Sequence, residues 1–491
     1  MDTSGTHDPG ARASAPRSWA VWIYLASAAT SMLGNAVATI VWPWLVLDRT
    51  GDPAAAGLVA AAIAFPSLLF AFLGGHLIDT FGRKPMSIIS DLISAASVVG
   101  VIIVDARLGL TMAWFVALGI IGAVGDIPGM AARSALVGDV SRVSGMTVDR
   151  IAGLNQSIGG LSWLLGPALA GFMMATIPIQ LVLWITAGCS FAAALLTAML
   201  RLHPGASDPT PLADDGSRGS PPDGGDPAGS VPGSSVPGSG GDPGAEAAAA
   251  GGETIDIGAL RAWGRVVRPP AIRLLVIITF ASAALVSPYL AVLLPAHFQS
   301  IDAPAMLGLS MSTYAVGMVL AGLAVAKIGA QNRRAMWTTA IALDLIGFSM
   351  LGALGVSWLV IAGMFVAGVG GGFLGPLSMV LVTEDIPEKL RGRAFSVFTA
   401  VNQFAAPIGL VAVTALLTQA DIYLVAAILA VIWAFISVWA IARGFRIFPP
   451  HAPASADKGS FPDSNDPGSG APGPAAGPND NGSVPGSARG N

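Results

Sequence analysis

Stretches of about 20 mainly apolar residues, long enough to cross a hydrocarbon core, recur along this chain from one end to the other. They fall near 19–46, 56–78, 86–104, 111–133, 151–175 and 178–199, and again near 272–295, 307–328, 335–356, 358–381, 394–419 and 421–442. Inside lipid every backbone amide must be satisfied within the protein, and runs of this length select helices. The pattern therefore predicts an all-α membrane protein with twelve transmembrane helices. Composition agrees, since 53% of the 491 residues are hydrophobic and 11% are charged, against roughly 25% charged in a soluble domain. An ordinary soluble enzyme is excluded. Cys189 is the only cysteine, so no intramolecular disulfide can form. A net charge of −4 gives no basis for a nucleic-acid partner.

Lys and Arg in short loops collect on the cytoplasmic side. With the N-terminus inside, that side receives Arg12 and Arg17, then Arg83 and Lys84, then Arg133, Arg142 and Arg150, then Arg201 and the group from Arg261 to Arg273. Further on it receives Lys327, Arg333 and Arg334, then Lys389, Arg391 and Arg393, then Arg443 and Arg446. The opposite side receives only Arg49 and Arg107. A span lost or invented in mid-chain would reverse this alternation, so both termini are expected in the cytoplasm. Met1 to Arg17 lacks the layout of a cleaved signal, and Ala20 to Leu47 reads as a retained first span.

The expected division is an N-terminal tail at 1–18, a six-helix bundle at 19–200, a cytoplasmic linker at 201–270, a second six-helix bundle at 271–446 and a tail at 447–491. Pro204 to Gly252 consists mainly of Pro, Gly, Ser, Ala and Asp, too poor in bulky apolar groups to repay ordering, and the tail repeats that chemistry. The stretch from Arg261 to Arg273 reads either as a short amphipathic helix on the inner leaflet or as a charged extension of the seventh span.

Gly75-His-Leu-Ile-Asp79-Thr-Phe-Gly82-Arg83-Lys84 follows the second span, and a shift of 247 residues lands on Gly322-Leu-Ala-Val-Ala326-Lys327-Ile-Gly329 after the eighth. The same shift carries Asn155-Gln156 onto Asn402-Gln403. Two matches at one offset point to duplicated halves with a path between them.

On these residues the chain resembles the major facilitator superfamily of secondary transporters, over essentially all of 19–446. Gly75-x-x-x-Asp79-x-x-Gly82-Arg83-Lys84 is similar to that superfamily's signature loop, with Thr80 where a basic residue is usual and Ala326 in place of the aspartate in the second copy. The segment from Glu384 to Arg393 is similar to the loop before the eleventh span of bacterial efflux members. Gly166-Pro167-Ala-Leu-Ala-Gly171, after Gly159 and Gly160, resembles the Gly/Pro-rich helix-packing motif of the antiporter branches, although Trp163 stands where a small residue is expected. The resemblance implies two pseudo-symmetric six-helix bundles in a bacterial inner membrane. It also implies an inner gate in which Asp79 meets a helix end of the other bundle and Arg83 joins a charge network with Asp91 and Asp139, while Gly75 and Gly82 permit the tight helix ends. The alternative for Arg83 and Lys84 is topology alone.

Acidic groups inside spans are costly unless they face protein or water. Asp126 lies in the fourth span before Pro128-Gly129, and Asp344 lies near the middle of the ninth. Both are candidates for proton or cation coupling. Asp91 is closer to a span end and has the character of a structural group. Asn35, Asn155, Gln156, Asn402 and Gln403 offer amides to a central cavity or, equally, to neighbouring helices. Tyr289 and Tyr314 are further cavity candidates, and Trp42-Pro43-Trp44 reads as an interfacial aromatic belt. Gly368-Val-Gly370-Gly-Gly372 lacks the context of a phosphate loop and reads as close helix packing. The histidines supply neither a metal-ligand set nor a nucleophile and base pair: His7 and His451 lie in the tails, and His76, His203 and His297 in loops or at span ends.

The expected function is proton-coupled export of hydrophobic or amphipathic small molecules, by a monomer that needs no cofactor and has membrane lipid, its substrate and a coupling ion as partners. An ion-coupled uptake carrier for an organic solute is the rival within transport. A receptor or scaffold without flux is the rival outside it.

Overall fold

The computed structural model of the protein describes residues 19–202, 264, 266–328 and 332–448. The N-terminal tail, nearly all of the linker and nearly all of the C-terminal tail lie outside the described residues. The described residues are helical, as α1 (Trp19–Thr50), α2 (Pro53–Phe81), α3 (Arg83–Arg107), α4 (Met112–Ser144), α5 (Val148–Thr176) and α6 (Ile179–Met199). After the linker come α7 (Pro270–Ser300), α8 (Pro304–Ile328), α9 (Arg333–Leu351), α10 (Ser357–Asp385), α11 (Glu388–Leu417) and α12 (Ile422–Ile447).

Local chemistry sets the helix ends. Asp52 starts α2 by accepting the Ala54 N–H at 2.8 Å, with Pro53 in the first turn. Asn332 caps α9 at 3.0 Å and Asp421 caps α12 at 2.7 Å in the same way. Gly82 sits between α2 and α3 at φ +85°, a conformation open to glycine and strained for other residues. Within α7, Pro288 has no N–H to donate, and the next residues, Tyr289–Leu293, form one wider π turn before the helix resumes at Leu294.

Eleven of the helices are long and apolar enough to cross a membrane, among the described residues. The protein is therefore an all-α, multi-pass membrane protein. The remaining helix, α9, occupies the ninth apolar window but falls short, because its 19 residues include Arg333, Arg334 and Asp344. It ends at Leu351, in a stretch where Gly352 and Gly355 follow.

Two packing neighbourhoods emerge. In the first half α3 lies on α4 and α6, α1 on α5 and α6, and α2 on α4. In the second half α10 lies between α8 and α9, α9 on α12, and α7 on α11 and α12. Lipid is as apolar as a leucine side chain, so helices in it associate through close backbone approach and hydrogen bonds. Gly368 accordingly faces the Tyr314 carbonyl, and Gly409 faces that of Ala284. Gly166 lies on Ala36 of α1.

The halves meet where α5 packs on α8, α2 on α11, and the last segment of α7 on α1. Gly171 abuts the Pro304 carbonyl and Gly308, Gly308 abuts the Pro167 carbonyl, and the Ser312 hydroxyl donates to the Leu164 carbonyl at 2.9 Å. Gly57 of α2 lies against Thr414 of α11. These contacts sit at the helix ends remote from Trp19. The two tryptophans read as a belt are packing groups instead: Trp44 is 7% exposed, and Trp42 stands edge-on to Phe115 with ring centroids 6.2 Å apart.

Candidate functional site

A cavity of about 260 Å³ opens among α1, α3, α4 and α5, on the Trp19 side of the seam between the halves. The wall between α3 and α4 is built from small residues. Ser90, Ser94 and Ser97 recur at helical spacing on α3 and donate to the Gly125 carbonyl, the Asp126 carboxylate and the Leu118 carbonyl. Gly125 and Gly129 leave the room that Ser90 occupies. Asp126 is thereby held at the cavity wall by a neutral hydroxyl, with Asn35 of α1 in reach of the same carboxyl. No guanidinium or ammonium group forms an ion pair with it among the described residues.

Asp91 stands in a different setting. The Arg133 Nη2 donates to its two oxygens at 2.9 and 2.7 Å, while Nη1 donates to the Ser27 carbonyl at 3.1 Å. Ser31 adds a bond to Asp91 at 3.0 Å. Both charged residues are 5% exposed. The Tyr24 hydroxyl lies 3.1 Å from the Arg133 carbonyl and 3.3 Å from the Asn155 Oδ1, tying α1 to α4 and α5. The pair cancels its own charge at the cavity edge, and Asp126 is left as the unpaired carboxyl.

Of the residues expected from sequence, Asn35, Asp91, Asp126, Asn155 and Gln156 line this cavity. Tyr289, Tyr314, Asp344, Asn402 and Gln403 do not. Tyr289 is 2% exposed and donates to the Leu351 carbonyl at 3.0 Å inside the second half, so its hydroxyl is committed to packing. Tyr314 lies against α10 at Gly368 and Gly371. Asp344 is 9% exposed, lodged where Gly370 leaves space. Asn402 and Gln403 are half-buried on α11.

The charge network also divides differently from its expected form. Arg83 reaches Asp139 at 3.3 Å, and Arg142 reaches the same fully buried carboxylate, whereas Asp91 belongs to Arg133. Lys84 donates to the Ala198 and Leu200 carbonyls at 3.0 and 2.8 Å, neutralising the end of α6. The second half has a counterpart in Arg333 paired with Glu384. Asp79 lies exposed on the last turn of α2, with no ion pair or hydrogen bond from its carboxylate among the described residues.

Sequence reasoning missed several wall residues, three of which shape the chemistry of the wall. Arg133 was counted only as a topology marker. Trp163, noted as a departure from a small-residue motif, is 46% exposed and brings an aromatic face to the wall. Met130 adds a flexible apolar surface to the same wall. The wall is thus apolar and aromatic with a few amides and one free carboxyl, the make-up of a small-molecule site.

The family model described as the Major Facilitator Superfamily matches residues 24–303 and 289–472. The multidrug efflux pump Tap of Mycolicibacterium fortuitum is 27% identical over 394 residues, covering 79% of this chain and 87% of Tap. The multidrug efflux pump Tap of Mycobacterium tuberculosis is 29% identical over 384 residues, covering 77% of this chain and 82% of that protein. Among solved structures, the nucleoside transporter NupG superposes with a TM-score of 0.61 at 14% identity, covering 87% of this chain and 98% of NupG. The human organic anion transporter MFSD10 superposes with a TM-score of 0.52 at 16% identity, covering 87% of this chain and all of that one. At such identities the two structures speak to the fold alone.

Proposed function

The chain belongs to the Major Facilitator Superfamily and is a secondary-active carrier of small molecules, and on that premise we propose that it exports amphipathic, cation-bearing molecules from the cytoplasm in exchange for protons. The observation that carries this reading is the unpaired Asp126 carboxyl on a cavity wall where the neighbouring Asp91 is already neutralised by Arg133. One carboxylate can hold a proton or a substrate cation but not both, which is the exchange an antiporter requires. Trp163 supplies a face on which a cation or an apolar ring can rest. Likeness to two proteins named multidrug efflux pumps supports export.

In this reading α1–α6 and α7–α12 are two pseudo-symmetric six-helix bundles with both termini in the cytoplasm, and the carrier works as a monomer. The seam at Gly171, Gly308 and Gly57 is the closed outer gate, and the cavity faces inward. Reconstituted full-length protein with a pH gradient of either sign provides the test. A lipophilic cation should move against an inwardly directed proton gradient, and a neutral apolar compound more weakly. Uptake of a polar metabolite with protons would replace this reading by a symporter, and absence of any flux would point to a receptor.

Asp79, exposed at the end of α2, is assigned to the inner gate, where it engages the second bundle when the cavity turns outward. A two-state element of this kind contributes through its differential contacts in the two states. Asp79→Asn is expected to lower flux about tenfold, as for a coupling of ordinary size, with surface expression unchanged. Normal flux from the well-inserted variant would remove the latch.

A further inference from the structure

At the edge between α9 and α12, the end of the second half carries cations that no carboxylate answers. Arg333 is occupied by Glu384. Its neighbour Arg334 instead lays its guanidinium over the Phe445 ring, 4.2 Å from the centroid. Arg443 lies over Trp439 at 5.9 Å, and Arg446 projects from the last turn of α12. Among the described residues none of Arg334, Arg443 and Arg446 forms an ion pair.

The rings matter as much as the charges. Trp439, Arg443 and Arg446 are spaced four and three apart, so they share one face of α12. That face continues through Phe435, which is 75% exposed, while Trp439 and Phe445 are 40% and 46% exposed. Large apolar groups turned away from the protein on a membrane helix face acyl chains, and a guanidinium resting on such a ring marks the headgroup level. A phosphodiester complements this arrangement, since guanidinium groups donate in a planar fork to phosphate oxygens. Cations placed only to fix topology need no aromatic platform.

We propose that this face of α12 binds an anionic phospholipid, its phosphate between Arg443 and Arg446 and an acyl chain along Trp439 and Phe435. The site lies outside the transport cavity and does not depend on the direction or coupling of transport.

Native mass spectrometry of the full chain provides the test, with phosphatidylglycerol, phosphatidylcholine and inorganic phosphate as probes. Phosphatidylglycerol should bind more tightly than phosphatidylcholine, and an excess of inorganic phosphate, lacking acyl chains, should not displace it. The double variant R443Q/R446Q should lose about fivefold in affinity per arginine removed, and R150Q, at the same end of the first half, should lose none. Equal affinity in the double variant, equal binding of the two lipids, or full displacement by inorganic phosphate would overturn the site. Should the double variant aggregate, Arg446→Gln alone decides: it alters an exposed last turn, where a fivefold loss supports the site and no loss removes it.

Discussion

Asp126→Asn is expected to abolish proton-driven accumulation of a lipophilic cation while leaving the carrier folded. Asparagine keeps the size of the side chain, and its oxygen can still accept the Ser94 hydroxyl, so the stability change should stay within about 1 kcal/mol, the scale of one hydrogen bond. What disappears is the one carboxyl on the cavity wall without an ion pair among the described residues. The groups that face it are neutral or already matched: Ser94, Asn35, and the Asp91–Arg133 pair. On the proposed exchange a cation binds to the carboxylate and competes with the proton, so cation affinity should rise with pH until the carboxyl is fully ionised. Below that point it should fall about tenfold per pH unit, since one proton is exchanged per cation. The Asn variant should bind weakly and with no pH slope. Binding of a fluorescent lipophilic cation to purified protein across a pH series measures both, and substrate-induced proton release in weak buffer gives a second readout. A pH slope that survives in Asp126→Asn would move the coupling site elsewhere, with Asp344 the next carboxyl to test.

Much of the fold was legible because the membrane imposes one rule on every span. The first apolar window began at 19 and the last at 421, against helices starting at Trp19 and Ile422. The failures have a common cause, in that hydropathy treats a charge as the end of a span. The fourth window stopped at 133, whereas α4 runs on to Ser144, because Arg133 is neutralised by Asp91 and buried. The habit that shortened the helix also hid Arg133 as a wall residue. Likewise α1 continues through Arg49, which meets Asp105 of α3 through two bonds at 3.0 and 2.7 Å. In the cavity, residue type identified Asp126, Asn35 and Asn155, but rotation about each helix axis is set by packing. Nothing in the chain distinguishes the buried, hydrogen-bonded Tyr289 from a tyrosine facing solvent. The glycines that place Ser90 against α4 were readable as small residues, yet which helix they admit is a tertiary fact.

Arg133→Met carries the largest expected effect on stability. Arg133 is 5% exposed, and its guanidinium donates to the Asp91 carboxylate and the Ser27 carbonyl. Removing it leaves a carboxylate buried against α1 with the Ser31 hydroxyl as its remaining partner. Loss of one member of a buried ion pair costs about 3–5 kcal/mol, much of it the penalty for the charge left behind. Asp91→Asn should be costly for the converse reason, since it strands a guanidinium. The double variant Asp91→Asn/Arg133→Met strands neither and should recover most of the loss, a positive coupling that a thermal-unfolding cycle on detergent-solubilised protein measures directly. Singles within about 1 kcal/mol of the native protein would show that water reaches the pair. The cycle also tests what the pair is for. If Arg133 serves to cancel Asp91 and leave Asp126 as the sole titrating group, the neutral double variant should keep both the pH slope of cation binding and the proton release. A double variant that folds yet has lost proton release would place Arg133 in the proton's path, and the pair would then be part of the coupling rather than its insulation.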